Sequence, residues 1–220
     1  MAGLVGTLVG QQSVDAVTFH FYNIGGEAGA AEEAAKFLEP ATLDRSRQAT
    51  ELAVAAATQP GSGKRLPVWL GETATASGGG LAGSSGTYTA CFIFLDKLGS
   101  IGRWGGAGLM RQALFEGQYA LLDPTSFAPR PTFWLAALFT KVAGPEVLRI
   151  SGDSAANRTL RTYSRCAKQP EHPAGESLFS HAGRSIWRSR SAFLDGVFSY
   201  QHHLIHRHLL PRRECGRVRV

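Results

Sequence analysis

The sequence predicts an α/β protein in which parallel strands alternate with helices. Stretches 14–22, 66–73 and 107–115 are rich in β-branched, aromatic and other apolar residues, which is typical of strands. A helical pattern follows each of them, and after residue 145 the pattern changes to strand, turn and strand. Three strand–helix units fit either part of a doubly wound sheet or part of a (β/α)8 barrel. Three strands are too few to close a barrel, which has eight. A small open α/β binding domain is a third possibility.

The first strand ends at the glycine pair 25–26, and the residues that follow it are rich in Ala, Glu, Leu and Lys. This composition predicts two helical pieces, 28–38 and 41–57, separated by Pro40. The second strand is short and apolar, and the glycine run 78–80 comes after it.

The clearest helix lies between the second and third strands. We expect Ser85 or Thr87 to cap its start and Gly99 to end it. Its apolar side chains recur at i, i+3, i+4, i+7 and i+10, which is one face of a helix. They are Tyr88, Cys91, Phe92, Leu95 and Leu98.

A further helix is predicted over residues 131–142, followed by paired strands at 146–150 and 159–166. The turn between these strands falls at residues 152–153, a Gly-Asp pair. The side chains expected on the buried face of the helix are Trp134, Leu135, Leu138 and Phe139.

Composition is ordinary for a globular protein, with 44% apolar and 18% charged residues, but the charge is unevenly distributed. Residues 169–220 contain eight Arg, no Lys, four acidic residues and six of the seven histidines. We expect this segment to be an irregular, disordered tail. The alternative is a non-enzymatic protein that binds heparin or another polyanion through the tail. No nucleic-acid partner is expected.

Metal and disulfide scaffolds are excluded by the cysteines and histidines. The three cysteines, Cys91, Cys166 and Cys215, cannot all pair, and none has metal-ligand spacing to another. His202 and His206 are four residues apart but have no acidic or cysteine partner nearby, so no metal site and no cofactor are predicted. The sequence has no stretch of about 20 apolar residues, and its first residues lack the basic start of a secretory signal.

Polar and aromatic residues stand at the ends of all three predicted strands. Glu72 follows an otherwise apolar strand, and Gly71 before it leaves room for a ligand to approach the backbone. His20 and Tyr22 lie two residues apart and therefore face the same side. The third strand ends at residues 116–119, Glu-Gly-Gln-Tyr. Because the carboxyl ends of parallel strands converge at one edge, these groups predict a binding site.

The chemistry of this site has alternatives on pattern alone. Glu72 is either an active-site carboxylate or a capping or surface residue. Glu116 is either the second carboxylate of a glycosidase, which a retaining enzyme holds about 5–5.5 Å from the first, or the beginning of a loop.

Five collinear motifs resemble glycoside hydrolase family 79. Residues 15–22 resemble its sixth barrel strand, and residues 69–73 with the glycine run 78–80 resemble its nucleophile strand. The remaining three follow in the same order, at 94–99, 110–112 and 123–139. The resemblance covers about residues 14–168.

The resemblance implies a partial (β/α)8 barrel, about its last three strand–helix units, over residues 14–145. The start of a β-sandwich follows at 146–168, and residues 1–13 and 169–220 have no counterpart. It further implies a retaining endo-β-glucuronidase that acts on heparan sulfate or a related acidic glycosaminoglycan. Such a protein is secreted, lysosomal or membrane-associated.

The resemblance also assigns roles to individual residues. Glu72 is the nucleophile, and His20 and Tyr22 hold and orient it. The residues that match sugar-contacting segments are Gly78, Gly79, Gly117, Gln118 and Tyr119.

Departures from the family pattern limit what is expected of this chain. It contains no Asn-Glu-Pro sequence, the family's setting for the acid/base glutamate, and nothing matches barrel strands one to five. We therefore expect it to be inactive alone, with the missing half of the barrel as a candidate partner. Glu27 replaces a basic residue of the substrate loop, and Ser77 replaces an aromatic one.

Two further expectations concern covalent chemistry. Cys166 matches a family cysteine whose partner lies near the family's C-terminus, and we predict that it is unpaired. Asn157 begins a glycosylation sequon, which is usable only if the chain is secreted.

Overall fold

A computed structural model describes residues 14–25, 34–58, 64–148 and 160–167 and, as backbone only, 176–182 and 185–189. Its first sheet is parallel, with strands β1 (Val17–His20), β2 (Val68–Thr73) and β3 (Gly108–Arg111) in that order. The helices are α1 (Pro40–Ala56), α2 (Thr89–Arg103) and α3 (Pro131–Val142), with a short 3-10 helix at Lys36–Leu38. The predicted mixed α/β fold with a parallel sheet is confirmed.

A second, antiparallel sheet follows α3. Its strands are β4 (Ala143–Leu148), β5 (Leu160–Ala167), β6 (Glu176–Ala182) and β7 (Ser185–Ser189), paired in sequence order. β6 and β7 lie within the segment for which we predicted an irregular tail. Pairing of β6 with β5 and of β7 with β6 gives this part of the segment regular backbone hydrogen bonds that its sequence pattern did not indicate.

The two faces of the parallel sheet differ. Val68 and Leu70 of β2 are buried. On the opposite face Trp69 and Met110 are 39% and 41% exposed. Alternation along a strand sends successive side chains to opposite faces, so the helices cover one face of the sheet only.

The first helix that the structure describes in full begins at Pro40. Proline is favourable at the first helical position because its missing N–H has no partner there in any case. Pro40 therefore starts α1 and, as predicted, separates it from the helical turn at Lys36–Leu38, while most of the predicted helix 28–38 lies outside the described residues.

Helix α2 differs from the prediction at both ends. Tyr88 occupies the N-cap position without a side-chain cap and is 59% exposed. Ser85 is engaged elsewhere, because its hydroxyl bonds to Thr75 and accepts the amide of Leu81. Gly99 lies inside the helix, where a Cβ atom would overlap the ring of Tyr163 on β5. The glycine therefore permits close packing between α2 and the second sheet and does not end the helix.

Three other expectations require correction. β3 ends at Arg111 because its partner β2 ends at Thr73, the residue paired with Arg111. Trp134 is 61% exposed, although Leu135 beside it is buried. Cys166 is disulfide-bonded, not unpaired, and its partner lies outside the described residues. The predicted turn at 152–153 and Asn157 also lie outside them.

Candidate active site

One extra residue in β2 determines where Glu72 points. Between Phe19 and His20 of β1 the paired residue on β2 advances from Leu70 to Glu72, a slip of one position. The pairing of β2 with β3 slips by one position over the same stretch. An extra residue of this kind re-aims the side chains that follow it, so Thr73 is buried while Glu72 lies on the same side as His20.

Glu72 contacts both residues predicted to orient it. The phenol of Tyr22 donates a 2.7 Å hydrogen bond to Oε1 of Glu72. His20 Nδ1 lies 3.6 Å from Oε2, and the side chains of His20 and Glu72 are 61% and 33% exposed. One carboxylate oxygen is thus fixed by a phenol, and the group remains accessible to a ligand.

Two loops complete the site beside this carboxylate. Gly78, Gly79 and Gly80 all have positive φ, and the amide of Gln118 donates a 2.6 Å bond to the carbonyl of Gly79. A side chain at Gly117 would overlap that same carbonyl, so only glycine permits this approach. The two loops are therefore held directly against each other.

Tyr119 joins these loops to the strand ends. Its ring stacks on Tyr22 with centroids 6.4 Å apart and an interplanar angle of 28°. It also lies so close to Gly80 that a Cβ atom there would meet the ring. All eight predicted catalytic and substrate-contacting residues thus form one connected group.

The electrostatics of the group keep Tyr22 neutral. Burial raises the pKa of the Tyr22 phenol, and the hydrogen bond to the Glu72 carboxylate raises it further. Tyr22 therefore remains a proton donor to Glu72 throughout the physiological pH range.

Sequence reasoning gave no role to Arg111, which lies beneath the aromatic pair. Its Nη2 donates a 2.7 Å bond to the carbonyl of Tyr119. Its guanidinium carbon lies 5.2 Å from the ring centroid of Phe94 and 5.5 Å from that of Tyr119. Burial lowers the pKa of Arg111 to about 10. The end of β3 therefore supplies a buried cation that supports the loop of Tyr119.

Lys97 is the second residue that sequence reasoning missed. It is 1% exposed, and its ammonium donates to Thr73 Oγ1 at 2.6 Å and to the carbonyl of Ala74 at 2.5 Å. Burial lowers its pKa well below the ordinary value, and the charge of Arg111 lowers it further. The signal in the sequence was a lysine within the apolar stretch of α2, which on pattern alone resembles a surface charge.

Glu116, the alternative second carboxylate, does not end a strand. β3 stops at Arg111, and Glu116 is exposed in the loop that follows. In the part of the chain that the structure describes, no three His, Cys, Asp or Glu side chains are grouped so that they could hold a metal ion. No helix among the same residues is long and apolar enough to cross a membrane.

Comparison with known proteins identifies the family. Residues 4–99 match the model of the glycosyl hydrolase family 79 N-terminal domain. Heparanase of Gallus gallus is 40% identical over 167 residues, which are 74% of this chain and 30% of that protein. The chain is a heparanase-like member of glycoside hydrolase family 79. Heparanase of Bos taurus is 36% identical over 76% of this chain and 30% of its own length. Hyaluronoglucuronidase of Hirudo nipponia is 32% identical over 48% of this chain and 21% of its own length.

The heparanase-like chain spans about 30% of the length of these heparanases. The family match begins at residue 4, so most of the segment 1–13, which we expected to have no counterpart, belongs to the resemblance. Two solved glycosidases share its fold. One is a 4-O-α-L-rhamnosyl-β-D-glucuronidase from Fusarium oxysporum 12S, with a TM-score of 0.55 and 15% identity over 80% of this chain and 37% of that one. The other is a GH51 arabinofuranosidase from Xanthomonas axonopodis pv. citri, with a TM-score of 0.57 and 12% identity over 83% of this chain and 41% of that one.

Proposed function

We propose that this chain is the nucleophile-bearing part of a retaining endo-β-glucuronidase, with Glu72 as the nucleophile. The observation that carries the proposal is the Glu72 carboxylate itself. It lies at the end of a parallel strand, accepts a 2.7 Å bond from Tyr22 and remains one-third exposed. A nucleophile needs this combination, because it must be held in place and must also reach the sugar.

In the proposed reaction Glu72 attacks the anomeric carbon of a glucuronosyl residue. The glycosidic bond breaks, the leaving oxygen takes a proton from the acid/base residue of the partner segment, and a covalent glycosyl-enzyme ester forms. A water molecule then gives a proton back to that residue, attacks the same carbon and releases the sugar with its original configuration and Glu72 as a carboxylate. Tyr22 and His20 hold the carboxylate, and the two loops at 78–79 and 117–119 contact the sugar chain.

The chain lacks the Asn-Glu-Pro sequence of the family's acid/base residue. Proton donation to the leaving group contributes about 10²–10⁴-fold to such reactions. We therefore propose that the chain is inert alone toward a natural polysaccharide, and that a segment bearing the acid/base residue is its partner.

The architecture fits this proposal. In it, the three-stranded sheet is the last part of a (β/α)8 barrel, and its exposed face with Trp69 and Met110 lines the barrel interior. The antiparallel sheet belongs to a β-sandwich beside the barrel. Barrel enzymes place their active sites at the carboxyl ends of the strands, where Glu72 lies.

The proposed substrate is heparan sulfate or a related acidic glycosaminoglycan. The names of the relatives, heparanase and hyaluronoglucuronidase, support this class of polymer. Glu27, where the family has a basic residue, favours a substrate with less sulfate near this loop, because its charge repels an anion. A secreted or lysosomal location, membrane association and glycosylation at Asn157 are part of the same proposal.

A glycosyl donor that needs no acid assistance tests the nucleophile. We expect 2-deoxy-2-fluoro-β-glucuronosyl fluoride to label the chain once, at Glu72, because fluoride leaves without being protonated. Intact-mass measurement and peptide mapping detect the adduct. Glu72→Gln should abolish labelling, whereas the matched control Glu51→Gln, a partly exposed glutamate on α1, should label like the parent. An unlabelled parent, or a label on another residue, would contradict the proposal.

A further inference from the structure

We infer that Lys97 is a positioning residue for the active site, and that it holds the ends of β1 and β2 so that Tyr22 meets Glu72. The inference rests on the proposed role of Glu72. It concerns a residue on α2 that touches neither the carboxylate nor any predicted sugar-contacting loop through a hydrogen bond in the described structure.

Lys97 connects α2 to Thr73, which follows Glu72, and through Thr73 to Phe21, which precedes Tyr22. Its ammonium donates to Thr73 Oγ1 and to the carbonyl of Ala74, directly after Glu72. The Thr73 hydroxyl in turn donates a 2.6 Å bond to the carbonyl of Phe21, which stands between His20 and Tyr22. One lysine thus fixes both strand ends through a chain of hydrogen bonds.

The same ammonium also lies beside the aromatic residues of β1. Its nitrogen is 5.9 Å from the ring centroid of Phe21 and 5.9 Å from that of Tyr22. When the amine is protonated, a cation at this distance from a ring face is attracted to it. Tyr22 is therefore held from two sides, by its bond to Glu72 and by the ring contact with Lys97.

The surroundings of Lys97 favour positioning over simple stabilisation. Both hydrogen-bond acceptors of its ammonium are neutral, whereas the neighbouring Asp96 bonds to Arg161 and Tyr163. Burying an amine among neutral groups costs free energy that an apolar side chain of similar length would not. What a methionine cannot supply is the pair of donors that reaches Thr73 and Ala74.

Two sets of variants separate positioning from folding. Lys97→Met removes both donors but keeps the length of the side chain, and Lys141→Met, at an exposed position on α3, is its matched control. Thr73→Val replaces the hydroxyl that joins Lys97 to Phe21 with a methyl group, whereas the separate variant Thr73→Ser keeps this hydroxyl. The Thr73 pair tests the inference even if Lys97→Met fails to fold.

The measurement is the rate of labelling by 2-deoxy-2-fluoro-β-glucuronosyl fluoride, divided into kinact and KI. We expect kinact to fall roughly tenfold or more in Lys97→Met and Thr73→Val, because a misplaced nucleophile reacts slowly. KI should stay within about twofold, since the sugar-contacting loops are unchanged. Thr73→Ser and Lys141→Met should match the parent.

Hydrogen exchange provides a readout that does not need labelling. The amide of Phe21 donates to the carbonyl of Glu72, and that of Gln112 donates to the carbonyl of Thr73. In Lys97→Met we expect both amides to exchange roughly tenfold faster, while α3 amides are unchanged.

Each outcome decides one part of the argument. Parent-like kinact in Thr73→Val or in a folded Lys97→Met overturns the positioning role. A parent that is not labelled at all, with faster exchange in Lys97→Met, contradicts the proposed function but supports the fixing of the strand ends by Lys97. Parent-like exchange and no labelling overturn both.

Discussion

Two adjacent buried residues of α2, Asp96 and Lys97, contact different sheets and have different kinds of hydrogen-bond partner. Asp96 is fully buried and faces the second sheet, where it accepts hydrogen bonds from Arg161 and Tyr163. Lys97 faces the parallel sheet and, among the described residues, donates to the neutral oxygens of Thr73 and Ala74. Asp96 is thus paired with an opposite charge, that of Arg161. Lys97 lies beneath the candidate active site, and its two hydrogen bonds go to neutral oxygens.

The difference teaches that burial alone does not reveal what a charge does. Arg161 also bonds to Asp44 of α1 at 2.8 Å. Asp44, Asp96, Arg161 and Tyr163, which we call the Asp96 side of α2, therefore join two helices and a strand into one network. Such a network connects layers of the fold. The Lys97 side instead orders a few backbone atoms next to Glu72 and Tyr22. We therefore expect the two sides to respond differently to mutation.

The largest effect on stability is expected on the Asp96 side. Arg161→Met leaves a buried carboxylate without its cation and should lower the free energy of unfolding by about 3–5 kcal/mol. Urea denaturation followed by tryptophan fluorescence measures this loss. Arg47→Met is the control, because it breaks a partly exposed pair with Glu51 on α1 and a cation–π contact with Trp104, and should cost about 1 kcal/mol or less. Equal losses in the two variants would contradict the structural role assigned to the network.

The sequence could predict the sheet and the strand ends because both follow from local pattern. Alternation of apolar strands with helices implies parallel strands, and parallel strands bring their carboxyl ends together. His20, Tyr22 and Glu72 could therefore be grouped from the sequence. The extra residue in β2 could not, although Gly71 inside a strand is a recognised signal for such an irregularity.

What sequence reasoning missed depends on contacts distant along the chain. Asp96 and Lys97 look like a solvated charge pair until β5 and β2 are packed on opposite sides of α2. Gly99 looks like a helix end, since local rules cannot reveal that Tyr163 lies against it. Strand β6 was missed for the same reason, because it pairs with β5, and β7 pairs in turn with β6.

A second, smaller effect tests the packing on the Asp96 side. Gly99→Ala places a methyl group where the ring of Tyr163 lies, and we expect a loss of about 1–3 kcal/mol in the free energy of unfolding. Gly25→Ala is the matched control, because nothing lies within 4 Å of its Cβ position. If Gly99→Ala were as stable as Gly25→Ala, α2 and β5 would not pack as closely as described.

The smallest effect separates Lys97 from Asp96 by pH. Burial lowers the pKa of Lys97 well below 10.5 in the folded chain, with Arg111 adding to the shift. Just below pH 10.5 the unfolded chain therefore binds a proton that the folded chain does not. Lowering the pH through this range favours unfolding, so the lysine makes the free energy of unfolding rise with pH.

Lys97→Met removes this dependence, and the difference between parent and variant isolates it from other titrating groups such as Tyr22. Over the pH unit just below 10.5 the free energy of unfolding of the parent should rise relative to the variant, by up to about 1.4 kcal/mol in all. Urea denaturation at several pH values measures the difference. A constant difference would mean that Lys97 keeps its proton in the folded chain, and that its side of α2 is as well compensated as the side of Asp96.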